Sequence, residues 1–297
     1  MKAMVLAAGL GTRLRPLTDT RPKALVEIAG RTLLEITLTR LRSFGVNEVI
    51  INVHHFADMV VDYLKSKNNF DMRIEISRED DLLLDTGGGL KKAAWFFLEH
   101  SQRAEKSGVI PSEARNPGKA STQPTNDQKP DASANADEPL LLHNVDVIST
   151  IDLGRMLQFH KENRALATLA VQARENSRPL LFDEHLQLRG RMVGPDGKPE
   201  LVSHAVAQAF RPEESAPPPF QALAFSGIHV ISPRLLPMLT EEGIFSIIPS
   251  YLRLSAQDEK IFAFRADQYY WCDLGRPADL AQAALDLKQN ALQGSEL

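Results

Sequence analysis

The first 23 residues constrain the fold most, because an apolar run there ends in two glycines and is followed by basic residues. The run Met4–Ala8 leads into Gly9 and Gly11, and Arg13 and Lys23 come shortly after. Such a run is typical of a buried parallel strand, and glycines after it let the backbone turn sharply with its N–H groups free. Free N–H groups beside fixed positive charge bind anions. The stretch therefore predicts a strand that delivers a triphosphate-binding loop to the edge of a sheet.

The glycine spacing distinguishes this loop from two common phosphate-binding motifs. Leu14 stands where a G-x-G-x-x-G dinucleotide fingerprint has its third glycine, and no G-K-[ST] follows as a P-loop requires. The alternative reading is a tight turn with incidental surface arginines. The longer string G-L-G-T-R-L-R-P-L-T favours the phosphate site.

Composition favours one α/β domain over residues 1–297. With 297 residues, 43% of them hydrophobic, the chain can bury an ample core. A net charge of −4 argues against nucleic acid or an anionic membrane surface as a partner. Cys272 is the only cysteine, so no disulfide framework is possible. Because no signal-peptide pattern is present either, we expect a cytoplasmic protein, either a monomer or a homodimer.

Helical and strand patterns alternate along the first third of the chain. Apolar residues recur at helical spacing in 32–44 and 58–65, and apolar runs at 48–53 and 72–76 indicate strands. This alternation predicts a Rossmann-like, doubly wound, mostly parallel mixed sheet with helices on both faces.

Three consecutive glycines interrupt the alternation within Leu84–Leu90, just before a helix predicted at 91–98. A loop without β-carbons lets a flat or bulky ligand lie against the backbone. A flexible linker is the alternative, but linkers are seldom bounded by an apolar run and a helix. The segment therefore predicts a ligand contact.

Two segments depart from the alternating pattern. Residues 101–138 contain no Leu, Phe, Tyr or Trp. Little apolar area is then available to offset the roughly 1–2 kcal/mol of backbone entropy that ordering each residue costs. We expect a disordered surface insertion there. In 174–219, short β-like pieces are broken by Gly and Pro, which predicts hairpins that form a lid over the ligand site.

The apolar strand predicted at 139–143 leads into Asn144, Val145 and Asp146. Open α/β sheets bind ligands at the carboxyl ends of such strands, and a carboxylate there suits Mg²⁺ shared with substrate phosphates. The alternative is that Asp146 caps the next helix. Ser149, Thr150 and Asp152 already supply caps, so the metal role is favoured.

Together these motifs resemble those of the sugar nucleotidyltransferases, also called NDP-sugar pyrophosphorylases. The resemblance rests on G-x-G-T-R-L-R-P, Pro22-Lys23, D-T-G-G-G at 85–89, F-S-G-I at 225–228 and W-C-D-L-G at 271–275, which occur in the family order. It implies the nucleotide-diphospho-sugar transferase fold. It also implies that a nucleoside triphosphate and a sugar 1-phosphate react to give a nucleotide sugar and pyrophosphate. Mg²⁺ would be held by Asp146 and, as the family's second metal-binding carboxylate, Asp273.

The resemblance assigns roles to individual residues. Arg13 and Lys23 would be catalytic, with Arg13 holding the departing pyrophosphate and Lys23 neutralising the α-phosphate. The nucleotide-binding residues would be Leu6, Ala7, Ala8, Gly9, Gly11, Thr12, Arg13, Lys23, Asp85, Thr86, Gly87 and Gly88. The residues on the sugar and its phosphate would be Gly88, Asn144, Ser226 and Gly227.

The chain departs from the family pattern in two places. Val145 replaces the glycine that usually precedes the metal-binding aspartate, which makes this loop stiffer. The segment after 174 lacks the Glu-Lys-Pro whose lysine holds the sugar phosphate in many relatives. Arg174, Arg178 and Arg211 are candidates to replace that lysine.

The D-T-G-G-G loop and the F-S-G-I-x-V strand most resemble the N-acetylmuramate 1-phosphate uridylyltransferases, so UTP and N-acetylmuramate 1-phosphate are the first candidate substrates. Mannose or heptose 1-phosphate guanylyltransferases, and hexose 1-phosphate enzymes that use UTP or dTTP, remain alternatives. A non-catalytic nucleotide-sugar sensor is an alternative of another class. The two aspartates disfavour it, because a sensor has no need of the metal.

Overall fold

The computed structural model describes residues 1–98, 138–193, 198–202 and 220–288. The insertion predicted at 101–138 lies outside this part of the chain except for its last residue. The lid predicted at 174–219 is described only up to 193 and over 198–202. Within the described ranges, no helix is long and apolar enough to cross a lipid bilayer.

Fourteen strands and six α-helices have defined bounds in the described residues. The strands are β1 Lys2–Leu6, β2 Glu27–Ile28, β3 Arg31–Thr32, β4 Glu48–Val53, β5 Arg73–Arg78, β6 Leu140–Asn144, β7 Val147–Ser149, β8 Ala167–Gln172, β9 Leu180–Phe182, β10 Leu188–Val193, β11 Lys198–Leu201, β12 Gln221–Ile231, β13 Ile261–Arg265 and β14 Trp271–Asp273. The helices are α1 Leu33–Ser43, α2 Ala57–Ser66, α3 Asp85–Lys92, α4 Leu153–Glu162, α5 Ile247–Ser255 and α6 Pro277–Lys288.

The main sheet is mixed, with a parallel centre. Its strands follow the order β11-β10-β9-β12-β6-β1-β4-β5, and β8 pairs with both β12 and β13. Strands β6, β1, β4 and β5 run parallel, whereas β12 is antiparallel to its neighbours. The carboxyl ends of β1 and β6 therefore lie side by side at one edge, where the site was predicted.

Each face of the sheet has its own apolar core, because successive side chains on a strand point to opposite faces. On β1, Ala3 and Val5 face the core covered by α1, α2, α4 and α6, while Met4 faces the core covered by α3 and α5. All three side chains are fully buried. This three-layer arrangement, a sheet with helices on both faces, confirms the predicted fold class.

Helix starts follow local capping rules. The side chain of Thr32 accepts a 3.0 Å hydrogen bond from the Glu35 N–H at the start of α1. Asp152 accepts one of 2.9 Å from the Arg155 N–H at the start of α4, so this residue supplies the cap of α4, as predicted.

Two sequence predictions differ from the structure. The glycines at 87–89 lie inside α3 rather than in a loop before a helix. The apolar run Tyr269–Trp271 before Asp273 also predicts a strand that ends at Trp271, whereas the structure has β14 at Trp271–Asp273. The second shift places Asp273 within a short ladder with β7 instead of after a strand.

Candidate active site

Two adjoining cavities of about 330 Å³ and 320 Å³ open at the carboxyl ends of β1 and β6. The residues Leu6, Gly9, Leu83 and Asp146 line both. The first cavity is also lined by Ala8, Asn52, Asp85, Thr86, Asn144 and Ile244. The second is also lined by Ala7, Leu10, Gly11, Thr12, Arg13, Lys23, Val145 and Gly275. Eight of the ten residues that line the first cavity are uncharged and the other two are aspartates, whereas the second holds the cations Arg13 and Lys23. We name them the neutral cavity and the cationic cavity.

The loop after β1 forms the floor of the cationic cavity. Gly11 adopts φ +63°, and a β-carbon there would lie 2.9 Å from the Thr18 methyl group. The Gly11 carbonyl accepts hydrogen bonds from the Leu14 N–H (2.8 Å) and the Thr18 hydroxyl (2.9 Å). Around Gly9, by contrast, a β-carbon would meet nothing within 4 Å. Gly11 is thus required by the turn, while Gly9 leaves open space in front of the backbone.

Lys23 projects its charge into the cationic cavity from a buried position. Its side chain is only 8% exposed, and its Nζ forms an ion pair with Asp146 Oδ2. The Val145 N–H donates a 3.1 Å hydrogen bond to the Leu6 carbonyl, which fixes the loop after β6 against the end of β1. The ammonium group and the carboxylate are therefore held at the junction of the two cavities.

Asp146 and Asp273 approach each other through neighbouring backbone. Asp273 pairs with Val147 in the β14–β7 ladder, and the Leu274 N–H donates a 2.8 Å hydrogen bond to the Asp146 carbonyl. Burial raises the pKa of Asp273, and the charge of Asp146 raises it further, whereas Lys23 lowers it. The two carboxylates therefore repel each other, and a cation bound between them would relieve the repulsion.

The donor set fits Mg²⁺. In the described part of the chain, no three His, Cys, Asp or Glu side chains gather in one cluster. One or two carboxylates completed by substrate phosphates are what Mg²⁺ commonly takes, while fully protein-built cages suit other ions.

The glycine segment in α3 contacts another part of the protein rather than lying open. A β-carbon on Gly87 would come within 2.3 Å of the Phe245 ring, and one on Gly88 within 2.6 Å of the Gly243 carbonyl. The N–H groups of both glycines donate to the Phe245 carbonyl, at 2.9 and 3.2 Å. The sequence suggested that these glycines leave the backbone open for a ligand. The structure instead shows Gly87 and Gly88 packed against Phe245 and Gly243. Asp85 and Thr86 do line the neutral cavity.

On the other side of β6, Asn144, Ser226 and Gly227 lie together. Gly227 adopts φ +75°, and a β-carbon there would lie 2.9 Å from Asn144 Nδ2. A glycine inside a strand predicts a bulge or a close ligand, and the β12–β8 register does shift between Phe225 and His229. Among the described residues, Asn144 Oδ1 and Ser226 Oγ are buried without a hydrogen-bond partner. Both atoms therefore need a hydrogen-bond partner that the described protein atoms do not supply.

Arg174 is the one candidate for the missing lysine that the structure places beside the site. Its guanidinium lies 3.6 Å from the centre of the Trp271 ring and donates a 2.8 Å hydrogen bond to the Phe225 carbonyl. Burial lowers its pKa, and the charge of Asp273 counteracts this. Arg178 is exposed, and Arg211 lies outside the described residues.

The structure adds Asn52, Leu83 and Ile244 to the lining of the neutral cavity. The sequence signal for Asn52 was a polar residue inside an apolar strand, at Glu48–Val53. Leu83 and Ile244 carry no such signal, because apolar residues in loops are common and only the fold brings these two together.

The carboxyl edge of this open α/β sheet carries a cationic glycine loop and two neighbouring carboxylates. Such an arrangement is typical of proteins that bind phosphorylated ligands. Residues 2–115 match the sequence model of the nucleotidyl transferase family.

Two curated proteins illustrate the relationship. The chain is 53% identical over 93 residues to N-acetylmuramate alpha-1-phosphate uridylyltransferase of Caulobacter vibrioides, which is 31% of this chain and 38% of that protein. It is 26% identical over 287 residues to mannose-1-phosphate guanyltransferase beta-B of Xenopus laevis, which is 94% of this chain and 62% of that protein. The chain thus spans less than two thirds of the length of either relative.

Solved structures support the fold over nearly the whole chain. A putative glucose-1-phosphate thymidylyltransferase from Bacillus anthracis superposes with a TM-score of 0.66 at 14% identity, covering 96% of this chain and 94% of that one. At this identity the likeness concerns the fold alone.

Proposed function

We propose that the chain is a sugar-1-phosphate nucleotidyltransferase. The observation that carries the proposal is the ion pair of Lys23 with Asp146 beside the Gly9–Thr12 loop, where the neutral and cationic cavities meet, with Asp273 close enough for its charge to interact with both. A nucleoside would occupy the neutral cavity and its triphosphate the cationic one. The α-phosphate, between them, would then lie beside Lys23.

In the proposed reaction, a phosphate oxygen of the sugar 1-phosphate attacks the α-phosphorus of the triphosphate in line. A new P–O bond forms as the bond from the α-phosphorus to the bridging oxygen of the β-phosphate breaks. The electron pair leaves with pyrophosphate. Since the nucleophile is already an anion, no general base is needed, and catalysis consists mainly of positioning and charge neutralisation.

The chain's own residues supply those functions. The N–H groups of the Gly9–Thr12 loop orient the phosphates, and Arg13 neutralises the charge that develops on pyrophosphate. Lys23, which is ion-paired with Asp146, contacts the α-phosphate while the negative charge of that phosphate is redistributed during the attack. Mg²⁺ held by Asp146 and Asp273 would add Lewis-acid charge neutralisation on the phosphates.

Arg174 is the proposed ligand of the sugar phosphate. Its guanidinium is half-buried, and its Nε is buried without a hydrogen-bond partner in the described residues. No carboxylate forms a salt bridge with it in the described part of the chain, although the charge of Asp273 acts on it. An anionic ligand would complete the charge compensation that burial requires. Asn144, Ser226 and Gly227 would contact the sugar next to it.

For the substrates, we propose UTP and N-acetylmuramate 1-phosphate. The support is the 53% identity to the Caulobacter vibrioides uridylyltransferase, which is confined to 93 residues. A guanylyltransferase acting on mannose 1-phosphate is the second candidate, supported by the alignment of 94% of the chain with the Xenopus laevis protein.

The experiment is a matrix of pyrophosphate-release assays. UTP, GTP, dTTP and CTP would each be combined with N-acetylmuramate, mannose and glucose 1-phosphates in the presence of Mg²⁺. The highest kcat/KM should belong to UTP with N-acetylmuramate 1-phosphate. A preference for GTP with mannose 1-phosphate would replace the substrate assignment, and the absence of pyrophosphate release in all combinations would contradict the class of reaction.

A further inference from the structure

A chain of three hydrogen bonds crosses beneath the neutral cavity and joins two loops that border it. The Ala7 N–H donates to Asn52 Oδ1 (2.7 Å), Asn52 Nδ2 donates to Glu79 Oε1 (2.8 Å), and the Leu84 N–H donates to Glu79 Oε2 (2.8 Å). We call this the Glu79–Asn52 bridge.

The bridge is almost inaccessible to water. Glu79 is 1% exposed and Asn52 is 3% exposed. In the described residues no cation pairs with Glu79, so amide groups supply its hydrogen bonds. Burial of a carboxyl group without a charged partner is expensive, and an apolar pair of similar volume would cost less. A need for stability therefore does not explain why these two residues are present.

Hydrogen-bond counting shows why one of the two side chains must be a carboxylate. Both ends of the bridge are backbone N–H donors, from Ala7 and Leu84. A pair of amide side chains would have to place a donor against a donor somewhere along the chain. When one side chain is an amide and the other is a carboxylate, which only accepts, all three hydrogen bonds of the bridge can form.

The third glycine of the D-T-G-G-G segment makes room for the bridge. A β-carbon on Gly89 would lie 2.9 Å from Glu79 Oε1 and 3.0 Å from Asn52 Nδ2. Gly89 lines neither cavity. Its role in the motif is explained by contact with the bridge rather than with a ligand.

The two ends of the bridge are the two sides of the proposed nucleotide site. Ala7 opens the loop at the floor of the cationic cavity, and Leu84 immediately precedes Asp85 and Thr86, which line the neutral cavity. Building on the nucleotidyltransferase function proposed above, we propose that Glu79 and Asn52 are positioning residues that fix the distance between these two sides. They would thereby set the affinity for the nucleoside triphosphate without affecting that for the sugar 1-phosphate.

The test exchanges the two functional groups. Glu79→Gln leaves two amides between two N–H donors, and Asn52→Asp leaves two carboxylates facing each other, so each single variant breaks the bridge. The double variant Asn52→Asp/Glu79→Gln restores all three hydrogen bonds with one of them reversed in direction. Volume and net charge are conserved in the double variant.

We expect each single variant to weaken UTP or GTP binding, measured by calorimetry with Mg²⁺, by about tenfold or more, because a donor or acceptor left unpaired in the bridge would shift the loops that border the nucleotide site. The KM for the sugar 1-phosphate should stay within about threefold, and the double variant should regain most of the lost nucleotide affinity. Thr168→Val is the control, because it removes a buried hydrogen bond to His160 away from the site. It should lower the melting temperature and leave nucleotide affinity unchanged.

Three results would overturn the proposal: single variants that bind the triphosphate like the parent, equal losses for nucleotide and sugar 1-phosphate that follow the melting temperature, or a double variant no better than the singles. A parent that binds neither UTP nor GTP would overturn it as well. Because calorimetry needs no turnover, the predicted pattern in an inactive parent would support the bridge while contradicting the proposed reaction.

Discussion

The guanidinium group of Arg13 occupies the space that a side chain at position 275 would need. A β-carbon on Gly275 would come within 2.7 Å of Arg13 Nη2 and 2.9 Å of Cζ. Gly275 lies two residues after Asp273, the last residue of β14. The absence of a side chain there therefore keeps Arg13 next to both the carboxylates and the glycine loop.

The first prediction follows from this contact. Gly275→Ala should displace the flexible end of Arg13 without unfolding the protein, and kcat should fall by about tenfold or more, a barrier increase of about 1.4 kcal/mol. Gly154→Ala, at the start of α4, is the matched control. The double variant Gly275→Ala/Arg13→Ala should be little worse than Arg13→Ala, because the two changes remove the same interaction. Fully additive effects would show that Gly275 acts independently of Arg13.

Asp273→Asn should separate activity from stability. Burial and the charge of Asp146 raise the pKa of Asp273, so its ionised form is disfavoured in the folded protein. Asparagine removes that repulsion, and the melting temperature should stay the same or rise. Turnover should be lost, as it should in the parent with excess EDTA. Near-normal turnover of the variant at saturating Mg²⁺ would exclude Asp273 as a metal ligand.

Arg174→Ala tests the proposed ligand of the sugar phosphate. Loss of a charged hydrogen-bonding partner should raise the KM for the sugar 1-phosphate by about tenfold or more, while the KM for the triphosphate changes little. Arg178→Ala, an exposed arginine four residues away, is the control. If Arg174 binds the phosphate, glucose and N-acetylmuramate 1-phosphates should be affected equally. A loss confined to the muramate would indicate contact with its carboxylate instead, and an equal rise in both KM values would refute the assignment.

Acid should destabilise the fold through its buried histidines. Burial lowers the pKa of His143 and of His160 to about 4 and that of His229 to about 3. The unfolded chain, with histidine pKa values of about 6.5, therefore binds protons first as the pH falls. Stability is lost between about pH 6.5 and 4 and levels off below the folded-state values.

For His160, a shift from pH 7.5 to 5.5 should lower the free energy of unfolding by about 1.3 kcal/mol. Urea unfolding of the parent and of His160→Gln at both pH values isolates this contribution, because all other groups are common to the two proteins. His185→Gln, which removes an exposed histidine, controls for the change in histidine number. Equal pH dependence of the parent and His160→Gln would contradict the prediction.

The sequence allowed prediction of the features that depend on local patterns. The alternation of apolar spacing located β1, α1, β4 and α2 to within about two residues of their bounds. Asp146 and Asp273 could be paired because both occur in strings that resemble one family. The bulge at Gly227 followed from a glycine inside a long apolar run.

Features that depend on contacts between distant segments could not be predicted. The three glycines of α3 serve three different neighbours, namely Phe245, Gly243 and the Glu79–Asn52 bridge. Phe245 and Gly243 lie far along the chain from α3, and Asn52 lies in β4. Likewise, the stacking of Arg174 on Trp271 joins residues 97 positions apart, so three candidate arginines could not be distinguished from sequence.

The central claim is that the α-phosphorus of the triphosphate is transferred to the sugar 1-phosphate. The direct test uses two parallel reactions of the preferred substrate pair, one with the triphosphate radiolabelled at its α-phosphorus and one labelled at its γ-phosphorus. We predict that the α-label appears in the nucleotide sugar and the γ-label in pyrophosphate, in equal amounts. The γ-label in orthophosphate or in a phosphorylated sugar would instead show hydrolysis or kinase chemistry, and would contradict the account.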